Sequence, residues 1–181
     1  VLDASGTSFM KTLAKYIRGA TNEVSITAAG GWPSTTQGAG AAVKYETSVN
    51  KMNYYGVPFN DATVTYWETE FTMPNDYDGG ALVINNLNYY GSTAQASAVV
   101  WGIQAACIAA GGSLDTAWGT PGTITDTSYG TAYLYKYSGA GATITPANAT
   151  AGRIQMRFRV FRNGTIATDT YGGTAFFNAM Q

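Results

Sequence analysis

The chain has 181 residues, 45% apolar and 13% aromatic, with ten basic and eleven acidic residues and a net charge of −1. That is enough apolar material for one globular core, and there is no basic excess of the kind that holds nucleic-acid phosphates. No apolar run reaches the roughly 18 residues of a membrane-spanning helix, and the absence of histidine removes the commonest general base and metal ligand.

Charged residues make up only 12% of the chain, about half the usual share. The polar surface must therefore come from Thr, Ser, Asn, Gln and Gly. A nearly neutral surface does little to keep monomers apart, which suits a protein held in an assembly. The lone Cys107 has no internal disulfide partner and reads as a small buried hydrophobe. The sequence begins at Val1, which is expected to follow a removed or omitted segment.

In chain order, residues 8–19 come first. Phe9, Leu13, Tyr16 and Ile17 share one helical face, Lys11, Lys15 and Arg18 lie on others, and Ser8 and Gly19 suit the two ends. The spacing predicts a short amphipathic helix that docks on a core or a partner. Residues 28–42 are a Gly- and Ala-rich stretch without periodicity, read as an extended arm. The predicted division is therefore 1–42, helix and Gly-rich arm, and 43–181, a β-sandwich domain.

From residue 43 onward the pattern is strand after strand. Residues 43–49 and 52–59 are short candidates. Residues 64–73 alternate well, with Trp67, Thr69, Phe71 and Met73 on one face and Tyr66, Glu68, Glu70 and Thr72 on the other. Pro74-Asn75-Asp76-Tyr77-Asp78-Gly79-Gly80 is a turn. Residues 81–90 form one further strand. Residues 96–110 are almost continuously apolar and read as a central strand, although the Ala content of 103–110 also fits a helix. Short strands follow at 123–126, 131–137 and 142–145. Residues 153–162 are the clearest strand, with Ile154, Met156, Phe158 and Val160 facing one way. Asn163-Gly164 then signals a tight hairpin, and 175–180 is a last strand. Many short strands with Gly-rich turns and no interleaved helices predict an all-β, antiparallel jelly-roll-like sandwich.

Few residues offer chemistry. Glu68 and Glu70 stand two apart on one strand face, and paired carboxylates serve glycosidases. Arg157 and Arg159 have the same spacing on another strand, so cross-strand charge pairing is the simpler reading. Asp76 and Asp78 before Gly79 resemble a fragment of a calcium loop, but the Glu that completes such a loop is missing. No catalytic residue, cofactor or firm metal site is expected. The thirteen tyrosines and four tryptophans are the remaining resource. Tyr54-Tyr55 and Tyr89-Tyr90 are adjacent, so one ring of each pair turns away from the core in an extended segment. Trp32, Tyr54, Tyr55, Tyr89 and Tyr90 are therefore the candidate contact residues, for a protein neighbour or a sugar.

Three blocks carry a resemblance. They are Trp67 through Met73-Pro74-Asn75-Asp76-Tyr77-Asp78-Gly79-Gly80, then Val99-Val100-Trp101-Gly102-Ile103-Gln104-Ala105, and then Ala151-Gly152-Arg153 through Val160-Phe161-Arg162, followed by Asp169-Thr170. In this order they resemble a group of β-domain proteins encoded in tailed-phage and environmental viral genomes, which often have Trp where this chain has Tyr77. The resemblance covers roughly residues 45–180. It implies a non-enzymatic part of a virion surface, of decoration or fibre type. Its partners would be capsid or tail proteins, as a homo-oligomer with the trimer among the states it fits. The alternatives are a fibre or adhesin domain that binds host glycans, and the subunit of an extracellular filament.

Overall fold

The computed structural model describes residues 23–139, 141–152 and 154–181; the predicted helix at 8–19 lies outside them. Thirteen strands follow in chain order. They are β1 (Ile26–Thr27), β2 (Trp32–Pro33), β3 (Val43–Glu46), β4 (Asn53–Phe59), β5 (Val64–Thr72), β6 (Leu82–Ile84), β7 (Leu87–Gly91), β8 (Ala98–Ile108), β9 (Gly122–Thr127), β10 (Lys136–Tyr137), β11 (Ala142–Ile144), β12 (Gln155–Asn163) and β13 (Ala175–Met180). A 3-10 turn at Ala28–Gly30 is the one helical element among the described residues, and no helix among them is long and apolar enough to cross a membrane.

Two antiparallel sheets carry the fold. The first has the order β10-β7-β13-β4-β3, with β1 beside β13. The second has the order β2-β5-β12-β8-β9. Within them, β10-β7-β13-β4 and β9-β8-β12-β5 are the two four-stranded halves of a jelly roll, in which neighbours in a sheet are distant in sequence. A ribbon of β6 and β11 pairs with neither sheet but buries Ile84 and Ile144 in the common core.

The core lies between the sheets and follows from strand alternation. Trp67, Ile103, Met156, Phe158 and Val160 face Val57, Phe59, Leu87, Tyr89 and Phe177. Trp101 meets Phe59 edge-on at 5.3 Å and Tyr89 at 5.6 Å, and Trp67 meets Phe177 at 5.0 Å. Cys107 is buried in this layer, and burial pushes its thiol pKa up. The stretch that also fitted a helix is the strand β8, paired on both sides by β12 and β9.

Four expectations change. The Gly-rich stretch is no free arm over its described part. Ile26–Thr27 pairs with β13, Trp32–Pro33 pairs with β5, and Ala28 and Ala39 are buried in the core. Gly31 is there for close approach, since a Cβ would sit 2.2 Å from the Glu68 carbonyl and 2.3 Å from the Trp67 ring. The predicted strand 81–90 is two strands, broken at Asn85 and Asn86, whose amides bond to Gln181. Residues 131–137 are mostly a loop, and only Lys136–Tyr137 pairs.

The fourth change is the largest. Asn163-Gly164 starts no hairpin, because β12 lies in the second sheet and β13 in the first. The crossing loop is fixed by Arg162, which is fully buried and continues the core-facing parity of Phe158 and Val160. Its guanidinium pairs with Asp169 at 2.7 Å and donates to the carbonyls of Phe59, Tyr171 and Gly173. Asp169 in turn accepts the Val100 amide at 3.0 Å.

Asp169→Ala leaves this guanidinium buried and uncompensated, and is expected to cost about 3–5 kcal/mol. Denaturant unfolding measures it. The double variant Arg162→Met/Asp169→Ala is expected to lose less than the single one, because no buried charge remains.

Candidate functional site

The outward side chains of the first sheet form a second aromatic layer. Alternation puts Tyr89 into the core and Tyr90 on the outside. The same rule turns Tyr45 of β3, Tyr54 of β4 and Phe176 of β13 outward, and the loop before β10 lays Tyr133 over them. Tyr45 and Tyr54, cross-strand partners in the register, stack at 5.6 Å and 21°. Tyr90 lies parallel to Phe176 at 4.9 Å and meets Tyr54 edge-on at 5.3 Å. Tyr133 stands 6.2 Å from Tyr45 and 6.3 Å from Tyr90. Such ring pairs are favourable beyond their buried area by about 0.5–1.5 kcal/mol each.

Two details show how this layer is built. A Cβ on Gly56 would sit 2.1 Å from the Tyr90 hydroxyl, so only glycine leaves room for that phenol. Tyr133 has φ of +60°, a left-handed conformation that a bulky residue adopts rarely. The amide of Tyr133 bonds to the Gly91 carbonyl at 2.8 Å and holds the loop there. The ring stays 51% exposed on top of the cluster, whereas Tyr90 beneath it is 2% exposed.

The layer continues toward β10 with a polar centre. Tyr135 donates to the Asn178 carboxamide oxygen at 2.9 Å and also hydrogen-bonds the Asn88 side chain. Asn178 donates to the Tyr55 carbonyl at 2.7 Å. Tyr137, the register partner of Asn88, packs edge-on against Tyr135 at 5.3 Å and is 64% exposed. Two buried polar atoms here, the Tyr90 hydroxyl and the Asn88 carboxamide oxygen, have no protein hydrogen-bond partner. Each such atom costs about 1–3 kcal/mol. Strain at Tyr133 and unpaired polar atoms beside it are features that concentrate at binding surfaces.

Burial raises the pKa of Tyr45, Tyr54, Tyr90 and Tyr135, and neighbouring phenols add to the rise at each. All four stay protonated, as donors, through the neutral range.

The structure divides the candidate contact residues. Tyr54 and Tyr90 belong to this layer, although Tyr90 is its floor and not a free contact. Tyr55 is 46% exposed at the sheet's end and contributes its carbonyl. Tyr89 is no contact residue: it is fully buried, and its hydroxyl bonds to Asp126 at 3.0 Å. Trp32 is 44% exposed but stands on the other sheet, beside Glu68.

The charged residues lie on that opposite face. The register sets Glu70 against Arg157 and Glu68 against Arg159. Glu70 and Arg157 form an ion pair at 3.1 Å. Glu68 accepts a short hydrogen bond from Ser34. Arg159 bonds to Gln104 at 2.7 Å and lies between the Tyr66 and Trp118 rings, at 4.3 and 4.6 Å; burial lowers its pKa. Asp78 accepts the Gly80 amide at 2.8 Å in a turn. Asp76 and Asp78 belong to no group of three metal-ligating side chains among the described residues.

Sequence reasoning missed Tyr45, Tyr133, Tyr135, Tyr137, Asn88, Asn178 and Phe176. For Tyr135 and Tyr137 the available signal was their spacing of two at the entry to β10.

No family model and no curated protein matches the chain. Among solved structures it is similar to the family 11 carbohydrate-binding module from Clostridium thermocellum in complex with a β-1,3-1,4-mixed-linked tetrasaccharide. The TM-score is 0.34 at 14% identity, over 90% of this chain and 89% of that one.

The raised phenol pKa values give a pH dependence with a definite sign. Below the ordinary tyrosine value of 10.0, both folded and unfolded chains hold these protons and their contribution to stability is complete. Above it the unfolded chain releases protons that the folded chain keeps, so stability falls as pH rises. Denaturant midpoints are expected to be flat from neutral pH until the unfolded Cys107 thiol begins to ionise near its ordinary value of 9.0, and to drop more steeply beyond 10.0 as the tyrosines follow. In the Tyr45→Phe/Tyr54→Phe variant the drop becomes shallower.

Proposed function

We propose that this domain is a non-catalytic carbohydrate-binding module that holds glycans on the tyrosine face of the first sheet. The observation that carries the reading is one surface where half-exposed rings stand beside planar amides: Tyr45, Tyr54, Tyr133 and Tyr137 with Asn88 and Asn178. A sugar ring has an apolar C–H face and an equatorial rim of hydroxyls. Aromatic rings take the first, and phenols and carboxamides take the second. The rings are locked against each other, so little side-chain entropy is left to lose on binding.

The non-catalytic part of the reading rests on the placement of the carboxylates. Glu68 and Glu70 lie on the opposite sheet, one bonded to Ser34 and the other paired with Arg157.

A second reading sets the same domain on a viral particle, as the three sequence blocks imply. Val49 and Met52, 83% and 66% exposed at the tip of the β3–β4 hairpin, support it. Exposed aliphatic groups at a protruding tip suit a contact with a neighbouring subunit. The two readings are compatible, since glycan recognition is a task of surface appendages.

A glycan array at high protein concentration tests the first reading. Binding is expected, and Tyr133→Ala is expected to weaken it about tenfold, near 1.4 kcal/mol, with the unfolding midpoint little changed. Silence across the array sinks the proposal. For the second reading, Val49→Asp/Met52→Asp is expected to reduce self-association in sedimentation velocity; an unchanged profile counts against it.

A further inference from the structure

The tyrosine face has a shape and a charge that say more about its ligand. A line drawn across the first sheet, perpendicular to its strands, meets Tyr45 on β3, Tyr54 on β4, Asn178 on β13, Asn88 on β7 and Tyr137 on β10. Register gives the outer steps, and side-chain bonds of Asn178, which sits at a β-bulge, give the central one. Tyr45 pairs with Tyr54, Asn178 reaches the Tyr55 carbonyl, and Asn88 is opposite Ala179 on one side and Tyr137 on the other. The rings therefore gather at two poles. One is Tyr45, Tyr54 and Tyr133; the other is Tyr135 and Tyr137, 5.3 Å apart. The amides lie between them. The four inter-strand steps from β3 to β10 span roughly 19 Å at the usual sheet spacing.

Among the described residues, no outward side chain on this line carries charge. Every outward side chain of the five strands is apolar, phenolic or a carboxamide: Val43, Tyr45, Tyr54, Pro58, Asn88, Tyr90, Tyr137, Phe176, Asn178 and Ala179, while Lys44 and Glu46, exposed on either side of Tyr45, have the opposite strand parity. Lys136, next to Tyr137, turns to the other side and pairs with Asp126 at 3.4 Å. Among the described residues, no outward cation along the line greets an acidic sugar, and no outward carboxylate greets an amino sugar that carries a free amine. A chain of uncharged sugars loses nothing on such a surface, whereas an ionised one gives up hydration without a partner.

We infer that the ligand is a neutral, extended oligosaccharide that crosses the sheet perpendicular to its strands, one sugar stacking at each ring pole and the intervening hydroxyls meeting Asn88, Asn178 and Tyr135. The inference rests on the carbohydrate-binding reading and narrows it in length and in charge. A disaccharide fills one pole; a hexasaccharide reaches both. The second pole acts as a linked second contact, which raises affinity without any change at the first.

The test is calorimetric titration of the full chain with cello-, N-acetylchito- and manno-oligosaccharides from disaccharide to hexasaccharide, and with oligogalacturonates of matching length. Within the neutral series that binds, the hexasaccharide is expected to bind at least about tenfold more tightly than the disaccharide, the equivalent of one added ring contact. Tyr137→Ala is expected to erase that gain and leave disaccharide affinity alone, whereas Tyr133→Ala weakens both. Oligogalacturonate is expected to bind at least about tenfold more weakly than the neutral chain of equal length. Equal affinity for short and long neutral chains, or a hexasaccharide indifferent to Tyr137→Ala, overturns the two-pole arrangement while leaving glycan binding intact. Tighter binding of the galacturonate series overturns the neutral specificity. Silence here and on the array removes the carbohydrate reading itself.

Discussion

The buried guanidinium of Arg162 is the constraint on which the rest of the arrangement depends. A jelly roll has to pass its chain from one sheet to the other between its last two strands, and that crossing runs over the open end of the core. Here the crossing loop has no large apolar side chain directed into the core except Tyr171. Arg162 closes the end instead, with one carboxylate and three carbonyls from Phe59, Tyr171 and Gly173. Phe59 belongs to β4, Gly173 adjoins β13, and Asp169 holds the Val100 amide of β8. One side chain therefore ties both sheets and their connection. A charge removed from water is tolerated only when its hydrogen bonds are met and its counter-charge is close. Once met, they fix the geometry of β13, and β13 is the central strand of the tyrosine face.

That face is a consequence of aromatic supply meeting strand alternation. With charged residues at 12% of the chain, the outward positions of the first sheet fall to tyrosine and asparagine. Tyr89 and Tyr90 show the division in two residues, one in the core and the next in the outer layer. The first sheet thus has rings on both sides, and its outer layer is packed to near core quality at Tyr90 and Phe176 while Tyr133 and Tyr137 remain open. The second sheet solved its outer face differently, with a cross-strand ion pair and a stacked arginine. Charged side chains on one side and uncharged rings on the other give the domain two unlike faces.

How much of this was legible in the sequence depends on how local the signal was. The strand pattern over 64–73 and 153–162 follows directly from alternation, and the Glu70–Arg157 register follows from matched spacing. The jelly-roll class was readable because many short strands without helices leave few alternatives. The hairpin expected at Asn163-Gly164 failed because turn chemistry is local, whereas the loop is held by partners in β4 and β8, distant in sequence. The Gly-rich stretch misled for a related reason: glycine marks flexibility and close approach alike, and Gly31 is the second case. Tyr89 and Tyr90 were distinguishable in kind but not in assignment, since alternation says that one faces inward without saying which. Tyr133 was unreadable because a left-handed tyrosine has no sequence mark.

The strain at Tyr133 bears most directly on what the outer layer is for. A layer that served packing alone would relax a residue held at φ of +60°, since the position costs on the order of 1 kcal/mol or more and glycine or asparagine would remove the cost. It would also pair the Tyr90 hydroxyl, which sits unpartnered beneath the exposed ring. Both costs are sustained at one spot, and both serve to hold a large flat ring at the surface above a polar atom. Tyrosine loses little rotamer freedom when it presents its face, and locking it in advance lowers what a ligand must spend to order it. The fold supplies the rigidity for this through β13, whose start Arg162 anchors from the core side through the Gly173 carbonyl. A buried guanidinium on the core side of the first sheet and a pre-formed aromatic surface on its outer side are linked through a single central strand.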